Sequence, residues 1–388
     1  MAKRLSKGSE RLRGKIMELV KQGHKTLKAA SLEAGISYRQ AKRVYRRYLE
    51  GGDEALRHGN AGKPSNRRTD PDLVRRALAL YEEQYGDFGP TLASEKLAER
   101  DGVAIGVSTL RRELIAAGLW QPERNGRVYR SRRAARDHFG ELVQFDGSHH
   151  DWFEGRRGRC CLITLIDDAT KTRLSQFFEE ETMAGAMTVL KLWITTYGIP
   201  ESLYCDKKNA FVLTREPTNQ ELLNGIVQPK SHFGKACDKL GIEVIAANSP
   251  QAKGRVERNH GLDQDRLVKE LRLAGVSSLE QANAFLWSVY LPSMNGKFSR
   301  PPRSPDDAHV RADTARLDDI LCREYDRKVS NDYIVRFEAR LFQILPETLP
   351  KPRPGDTVLV RVRLDASVHL FWKQKPLLVK ELTTIFDD

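Results

Sequence analysis

Several things are scarce in this chain of 388 residues, and each scarcity excludes something. There are five cysteines, Cys160, Cys161, Cys205, Cys237 and Cys322, and no Cys-x-x-Cys pair. An odd, unpaired set of this kind argues against a disulfide framework and against a structural zinc site. Cys160 and Cys161 are neighbours in what reads as a strand, so their side chains point to opposite faces and are badly placed to share an ion. No stretch approaches the roughly 18 consecutive apolar residues of a membrane span. The basic start, MAKRLSKGSE, lacks the apolar segment of a signal peptide. The chain therefore reads as soluble and cytoplasmic, with no membrane partner.

Acidic charge is also scarce, but at one end only. Residues 1–136 hold 30 Lys and Arg against 16 Asp and Glu, whereas the remaining 252 residues hold 35 against 36. A segregated basic block favours a polyanion such as nucleic acid; a merely solvated basic surface is the plainer alternative. The length exceeds one ordinary core and suggests about two to four domains.

Residues 9–22 place Leu12, Ile16, Leu19 and Val20 at helical spacing, and Gly23 ends the run. The stretch from Lys25 to Ser37 then has the chemistry of a helix-turn-helix. Ala29 and Ala30 are small enough for a second helix to approach, Gly35 suits the tight turn, Ile36 plugs the core, and Ser37 can cap the next helix. That helix, about 38–49, carries Arg39, Lys42, Arg43, Arg46 and Arg47, the residue types a recognition helix needs in a major groove. An amphipathic helix pair with a basic solvent face is the competing reading. After a Gly-rich polar stretch, Asp70 and Pro71 open a helix to about Tyr85. Gly89-Pro90-Thr91 opens another over about 92–100, and Ser108 a third over 109–117 with Arg111 and Arg112 on it. This reads as a second helix-turn-helix. Residues 121–136 then carry Arg124, Arg127, Arg130, Arg132, Arg133 and Arg136 with no apolar face, which suits an arm that tracks phosphates or a plain disordered linker.

From about residue 139 the texture changes. Short apolar runs at 141–146, 159–167 and 172–179 predict an antiparallel meander. A helix over 183–197, a strand over 202–206, a helix over 233–240, a strand over 243–246 and a long helix over about 252–273 complete the order βββαβαβα. That is the order of the ribonuclease-H-like fold, a mixed sheet with flanking helices. Beyond residue 324, runs at 333–337, 340–345, 356–362, 367–372 and 376–381, separated by prolines, predict a small β-barrel. The expected chain is thus multidomain. All-α helix-turn-helix domains span 1–55 and 70–120, with a linker over 56–69. A basic arm spans 121–138, a ribonuclease-H-like α/β core 139–295, a linker 296–323 and the barrel 324–388.

Among 52 acids, three fall at informative places. Asp146 ends the first strand, Asp206 ends the fourth, and Glu257 sits in the first turns of the last core helix. In this strand order the first and fourth strands are neighbours, so Asp146 and Asp206 come together and Glu257 arrives over them. Three carboxylates at one point repel, and divalent metal resolves the repulsion. All-oxygen ligation points to Mg²⁺ or Mn²⁺. Two ions about 4 Å apart suit in-line phosphoryl transfer, both hydrolysis of a strand and its joining elsewhere. Lys253, Arg255 and Arg258 lie within a turn of Glu257 and are candidate phosphate contacts.

Residues 139–273 resemble the core of insertion-sequence transposases and retroviral integrases. The resemblance is carried by Val143-Gln144-Phe145-Asp146-Gly147, Leu165-Ile166-Asp167-Asp168-Ala169-Thr170, Tyr197-Gly198-Ile199-Pro200, Cys205-Asp206-Lys207 and the run from Ser249 to Arg258. It implies a DDE active site of Asp146, Asp206 and Glu257, two Mg²⁺ or Mn²⁺ ions, and a DNA partner in the form of terminal inverted repeats and target DNA. It further implies 3′-end cleavage and strand transfer, and a dimer or larger assembly on DNA without a nucleotide cofactor. Integrases keep a shorter spacing between the second acid and the Glu than the 50 residues between Asp206 and Glu257. The excess lies in the polar insertion 211–230, and the chain is similar in this to the ISNCY group of insertion-sequence transposases. Lys-Lys-Asn follows Asp206 where Asn-Gly is common.

Asp167 and Asp168 form a tempting alternative acid pair but read as a turn into the third strand. His149, His150 and Asp151 look like ligands, yet they are adjacent in an expected loop. Trp120, Trp152 and Trp372 suit either base stacking or core packing. Rival functions are a DNA-binding transcriptional regulator with an inactive core, and a plain ribonuclease-H-type nuclease.

Overall fold

The structure is a computed structural model that describes residues 7–57, 68–122, 134–206, 216–218, 222, 229–247 and 254–382. It divides into two compact units, Met1–Pro122 and Glu123–Asp388.

The first unit is helical. Helices α1 (Lys7–Lys21), α2 (Leu27–Glu33) and α3 (Tyr38–Gly51) close around Ile16, Met17, Ala30, Val44 and Leu56. Thr26 caps α2 by accepting from the amide of Ala29, and Ser37 caps α3 by accepting from that of Gln40. Between them Gly35 takes φ 61, a left-handed value that suits glycine at the helix-turn-helix bend. A second block follows: α4 (Pro71–Gln84), capped by Asp70, then α5 (Pro90–Asp101) and α6 (Val107–Ala116). Its interior is Ala77, Tyr81, Leu92, Leu97, Leu110 and Leu114. Helix α6 starts earlier than the sequence suggested. Gly106 is the cap and Ser108 lies inside the first turn, because the amides of Thr109 and Leu110 both bond the Gly106 carbonyl.

The second unit is built on a five-stranded sheet of β1 (Val143–His150), β2 (Cys160–Asp167), β3 (Arg173–Phe178), β4 (Ser202–Asp206) and β5 (Glu243–Ala247). The spatial order is β3-β2-β1-β4-β5. Strands β1 to β3 form an antiparallel meander, while β4 is parallel to both β1 and β5. This is the mixed sheet expected from the strand order. Helices α7 (Met183–Thr196) and α8 (His232–Leu240) pack on one face, over Val143, Phe145, Cys161, Ile163 and Leu165. Helix α9 (Gly254–Leu273) lies on the other, with α10 (Leu279–Phe285) and α11 (Leu291–Phe298) joined by a π-helical segment at Leu286–Tyr290. Pro292 explains that segment. It has no N–H to continue the ladder, and the amide of Leu291 already reaches back five residues to Leu286. Strand β1 is longer than the sequence suggested: His149 and His150 belong to it, opposite Cys161 and Cys160, and not to a loop.

The chain between α11 and the last strands is bound to the sheet unit. Ile199 and Val310 bridge, and His309 packs among Phe139, Trp193 and Tyr197, accepting from the Trp193 indole at 3.0 Å. Gly140 makes this possible, since a Cβ there would come within 2.4 Å of the His309 ring.

The C-terminal strands do not close into the expected barrel. Strands β6 (Arg323–Lys328), β9 (Thr357–Val362), β10 (Val368–Trp372) and β11 (Lys375–Pro376) form one open sheet. Strands β7 (Ile334–Phe337), β8 (Arg340–Ile344) and β12 (Val379–Leu382) form another. They share an apolar interior of Val335, Phe337, Phe342, Ile344, Val358, Val360 and Leu370. Among the described residues the edges stay unpaired: β11 is two residues long and its Pro376 has no N–H to extend a ladder. No helix among the described residues is long and apolar enough to cross a membrane.

Candidate active site

Strand β1 alternates in kind. Val143 and Phe145 enter the apolar core under α7, whereas Gln144, Asp146 and Ser148 point the other way, toward α9. Each of these three meets a residue of α9. The Val256 amide donates to Gln144 Oε1 at 3.3 Å, His260 Nε2 stands 3.5 Å from Asp146 Oδ2, and Gln264 Nε2 donates to Ser148 Oγ at 3.0 Å. The periods explain the match. Four helical residues rise about 6 Å and two strand residues about 6.6 Å, so an i, i+4 series on the helix runs beside an i, i+2 series on the strand.

Asp206 is the last residue of β4, the strand on the other side of β1 from β2. Val143 is level with Leu203 and Gln144 with Tyr204. Asp146 and Asp206 each lie two residues beyond the last of these paired positions. Glu257 is exposed in the first turns of α9, one residue after Val256 and three before His260. The Asp146 carboxylate is 23% exposed. Asp146 lies midway along β1, not at its end as expected, because the strand runs on to His150 against β2; β4 flanks it on the other side and α9 lies over it.

Of the cations expected around Glu257, Arg258 is exposed and Arg255 is engaged elsewhere. Arg255 forms an ion pair with the wholly buried Asp168. Asp168 also accepts from Gln144 Nε2 at 2.8 Å and from the Arg136 amide at 2.9 Å. This network ties the β2–β3 turn, strand β1 and the start of α9 together beside Glu257. Asp167, the last residue of β2, caps the turn by accepting from the Thr170 amide and hydroxyl, and also accepts from the Gly140 amide. Burial raises its carboxyl pKa, partly offset by those bonds. The Asp-Asp pair thus has structural partners, in keeping with its reading as a turn.

On the opposite face of β1, the donor atoms of His149, Cys161 and Glu181 lie within 4.8 Å of one another. Gly147 leaves room for the Glu181 carboxylate, which a Cβ there would meet at 2.7 Å. Trp152 is buried in the core, and its indole donates to the Ser148 carbonyl at 3.2 Å.

In the helical unit, Arg39, Lys42, Arg43 and Arg46 are all exposed on α3, and Arg111 and Arg112 on α6. Lys42 lies over the Tyr38 ring at 4.7 Å, and Arg112 is partly neutralised by Glu113. Arg127, Arg130, Arg132, Arg133 and Lys253 lie outside the described residues. Gln144, Asp168 and His260 were not anticipated as parts of the site. The available signal was the polar series Gln144, Asp146 and Ser148, alternating with apolar residues in an otherwise apolar strand.

Residues 12–65 match the family model of a helix-turn-helix domain. Over 361 residues the chain is 36% identical to y4bF of Sinorhizobium fredii, a protein that bears a transposase name; the match covers 92% of this chain and 78% of that one. Over 364 residues it is 29% identical to the transposase for insertion sequence IS1202 of Streptococcus pneumoniae, covering 84% and 76%. Among solved structures it is similar to the HTLV-2 integrase catalytic core in complex with magnesium, at 21% identity and a TM-score of 0.30, over 40% of this chain and 89% of that one. It is also similar to a simian T-cell lymphotropic virus intasome in complex with a PP2A regulatory subunit, at 15% identity and a TM-score of 0.34, over 80% and 99%. Such low scores carry no argument; the identity to y4bF does. The chain belongs to the transposases.

Proposed function

We propose that this protein is a DNA transposase whose active site is made by Asp146, Asp206 and Glu257. It binds the terminal inverted repeats of a mobile element, cleaves at the 3′ ends and joins those ends to target DNA. The observation that carries this reading is that β1, which bears Asp146, pairs in parallel with β4, which ends at Asp206, while α9 lies on β1 within one turn of Glu257.

The residues present suit a divalent cation. Asp146 is half-buried, and beside it the buried His260 ring holds two nitrogens without hydrogen-bond partners among the described residues. Asp146, Asp206 and Glu257 would hold Mg²⁺ or Mn²⁺, two ions in all. Bound there, the cations would supply Lewis-acid stabilisation of the transferring phosphoryl group and a more acidic attacking hydroxyl. The chain's own residues do the rest. Gln144 and Asp168 fix the start of α9 and so the position of Glu257. Arg258, exposed next to Glu257, is placed to meet a DNA phosphate. Cleavage and joining each exchange one phosphodiester oxygen for another, so no nucleotide cofactor is called for.

DNA is engaged by the exposed basic stripe Arg39, Lys42, Arg43 and Arg46 on α3, spaced to lie along one side of that helix. Arg111 and Arg112 on α6 extend the contact, and so do the arginines of residues 121–136. The working form is a dimer or larger on paired DNA ends, in the bacterial cytoplasm at the nucleoid.

The test is strand transfer in Mg²⁺, using oligonucleotides from the DNA that flanks the coding sequence, with one end cut in advance. Joining to a second duplex is expected, and Asp146→Asn should abolish it. Binding without cutting would mark a regulator, and cutting without joining a plain nuclease; either overturns the proposal.

A further inference from the structure

His260 is the group at this site that the DDE reading leaves unused. The residue is 7% exposed, both ring nitrogens are buried, and neither has a hydrogen-bond partner among the described residues. A buried imidazole without partners is costly, and a leucine would fill the same space without that cost. The polar neighbours do not claim it. Asp263, one turn on, is satisfied by Arg173 at 2.8 Å, by Tyr290 at 2.6 Å and by Asn259 at 2.8 Å. What His260 does face is Asp146, with Nε2 3.5 Å from Oδ2. Two donors bound to one ion at about 2.0–2.2 Å stand roughly 3–3.4 Å apart. The observed separation is therefore a few tenths of an ångström from that of two ligands on one cation.

We propose that His260 is a fourth protein ligand at the active site, binding through Nε2 the cation held by Asp146. The proposal rests on the DDE reading and adds a nitrogen to what would otherwise be an all-oxygen set. Carboxylate and water suit Mg²⁺, whereas imidazole favours later divalent metals. The chemical consequence is a site that binds Mn²⁺ in preference to Mg²⁺ by more than its carboxylates alone would give. The α9–β1 register aims the ring, since Val256 and Gln264 on either side of His260 are hydrogen-bonded to Gln144 and Ser148.

The test loads the full chain with Mn²⁺ and reads the metal's nitrogen hyperfine coupling by electron spin-echo envelope modulation. Histidine-nitrogen coupling is expected in the unaltered chain. It should change when the histidines are ¹⁵N-labelled, persist in His149→Ala, and vanish in His260→Asn. Calorimetry should show the Mn²⁺-over-Mg²⁺ preference falling at least about tenfold in His260→Asn. The labelled unaltered chain keeps the test decisive if that variant folds poorly. Mn²⁺ binding that needs Asp146 but shows no nitrogen coupling overturns the His260 assignment and leaves the carboxylate site standing. Coupling that persists in a folded His260→Asn chain overturns it as well. Mn²⁺ binding that survives Asp146→Asn undamaged removes the carboxylate reading itself, and this proposal with it.

Discussion

The two faces of strand β1 carry opposite chemistry within a few residues. Val143 and Phe145 are wholly buried among aliphatic and aromatic side chains under α7, with Phe145 5.9 Å from the ring of Phe233. Gln144, Asp146 and Ser148 alternate with them and face α9, and each meets a polar or charged partner there. Burial is a poor guide to the difference, because Gln144 is as buried as Val143. What differs is how position is controlled. The apolar face is held by packing, which tolerates small shifts. The polar face is held by directional bonds that set one helix residue against one strand residue, which suits groups that must act together.

The sharpest break in this comparison comes from Asp146→Asn. Removing a carboxylate that holds cations should lower strand transfer by at least roughly a thousandfold, the equivalent of several kcal/mol of transition-state stabilisation. The urea midpoint should stay level or rise, since one source of carboxylate repulsion is gone. Strand transfer within tenfold of the unaltered chain would place the chemistry elsewhere. Phe145→Ala, one residue away on the other face, should do the reverse. It is expected to cost about 3–5 kcal/mol of stability as a cavity opens beside Phe233. The molecules still folded should join DNA within a few-fold of normal. Urea titration followed by assay at a temperature where the variant remains folded separates the two effects.

Gln144→Leu tests the polar face without touching a proposed ligand. It removes one partner each from the Val256 amide and the Asp168 carboxylate, so a loss of about 1–3 kcal/mol is expected. If the network positions Glu257, the Mg²⁺ concentration needed for half-maximal joining should also rise, which a purely structural bond would leave alone. An unchanged Mg²⁺ requirement in a destabilised Gln144→Leu chain would reduce the network to a stability element.

The parts of this architecture that were legible in the sequence are those set locally. The helix-turn-helix bend is written in Gly35 and Ser37, which turn or cap within three residues of where they act. The meander and the long helix α9 follow from apolar spacing. Features that depend on distant partners were not legible. Whether the last strands close depends on edges that meet only in three dimensions, and the polar run Arg323–Lys328 of β6 gave little apolar alternation to mark a strand. Helices α10 and α11 were missed because Pro292 and the π segment interrupt their spacing. His260 was missed because its neighbour Asp146 lies 114 positions earlier in the chain, and only the register of α9 on β1 joins them.

The smallest expected effect extends the comparison from the two faces of β1 to the two units of the chain. The sheet unit should act on DNA through a few placed groups, whereas α3 should act through charge. Each phosphate that a Lys or Arg neutralises contributes about 0.9 to the slope of log affinity against log salt. Lys42→Ala and Arg43→Ala should therefore each weaken terminal-repeat binding modestly and flatten that slope by about 0.9. Asp146→Asn should leave the slope of binding unchanged while abolishing joining. Arg112→Ala should flatten it by less than Arg43→Ala, because Glu113 already offsets the Arg112 charge. Fluorescence anisotropy across a salt series reads all four chains. If the α3 variants leave the slope unchanged, the basic stripe is no more than a solvated face, and the first unit must find DNA by residues other than these.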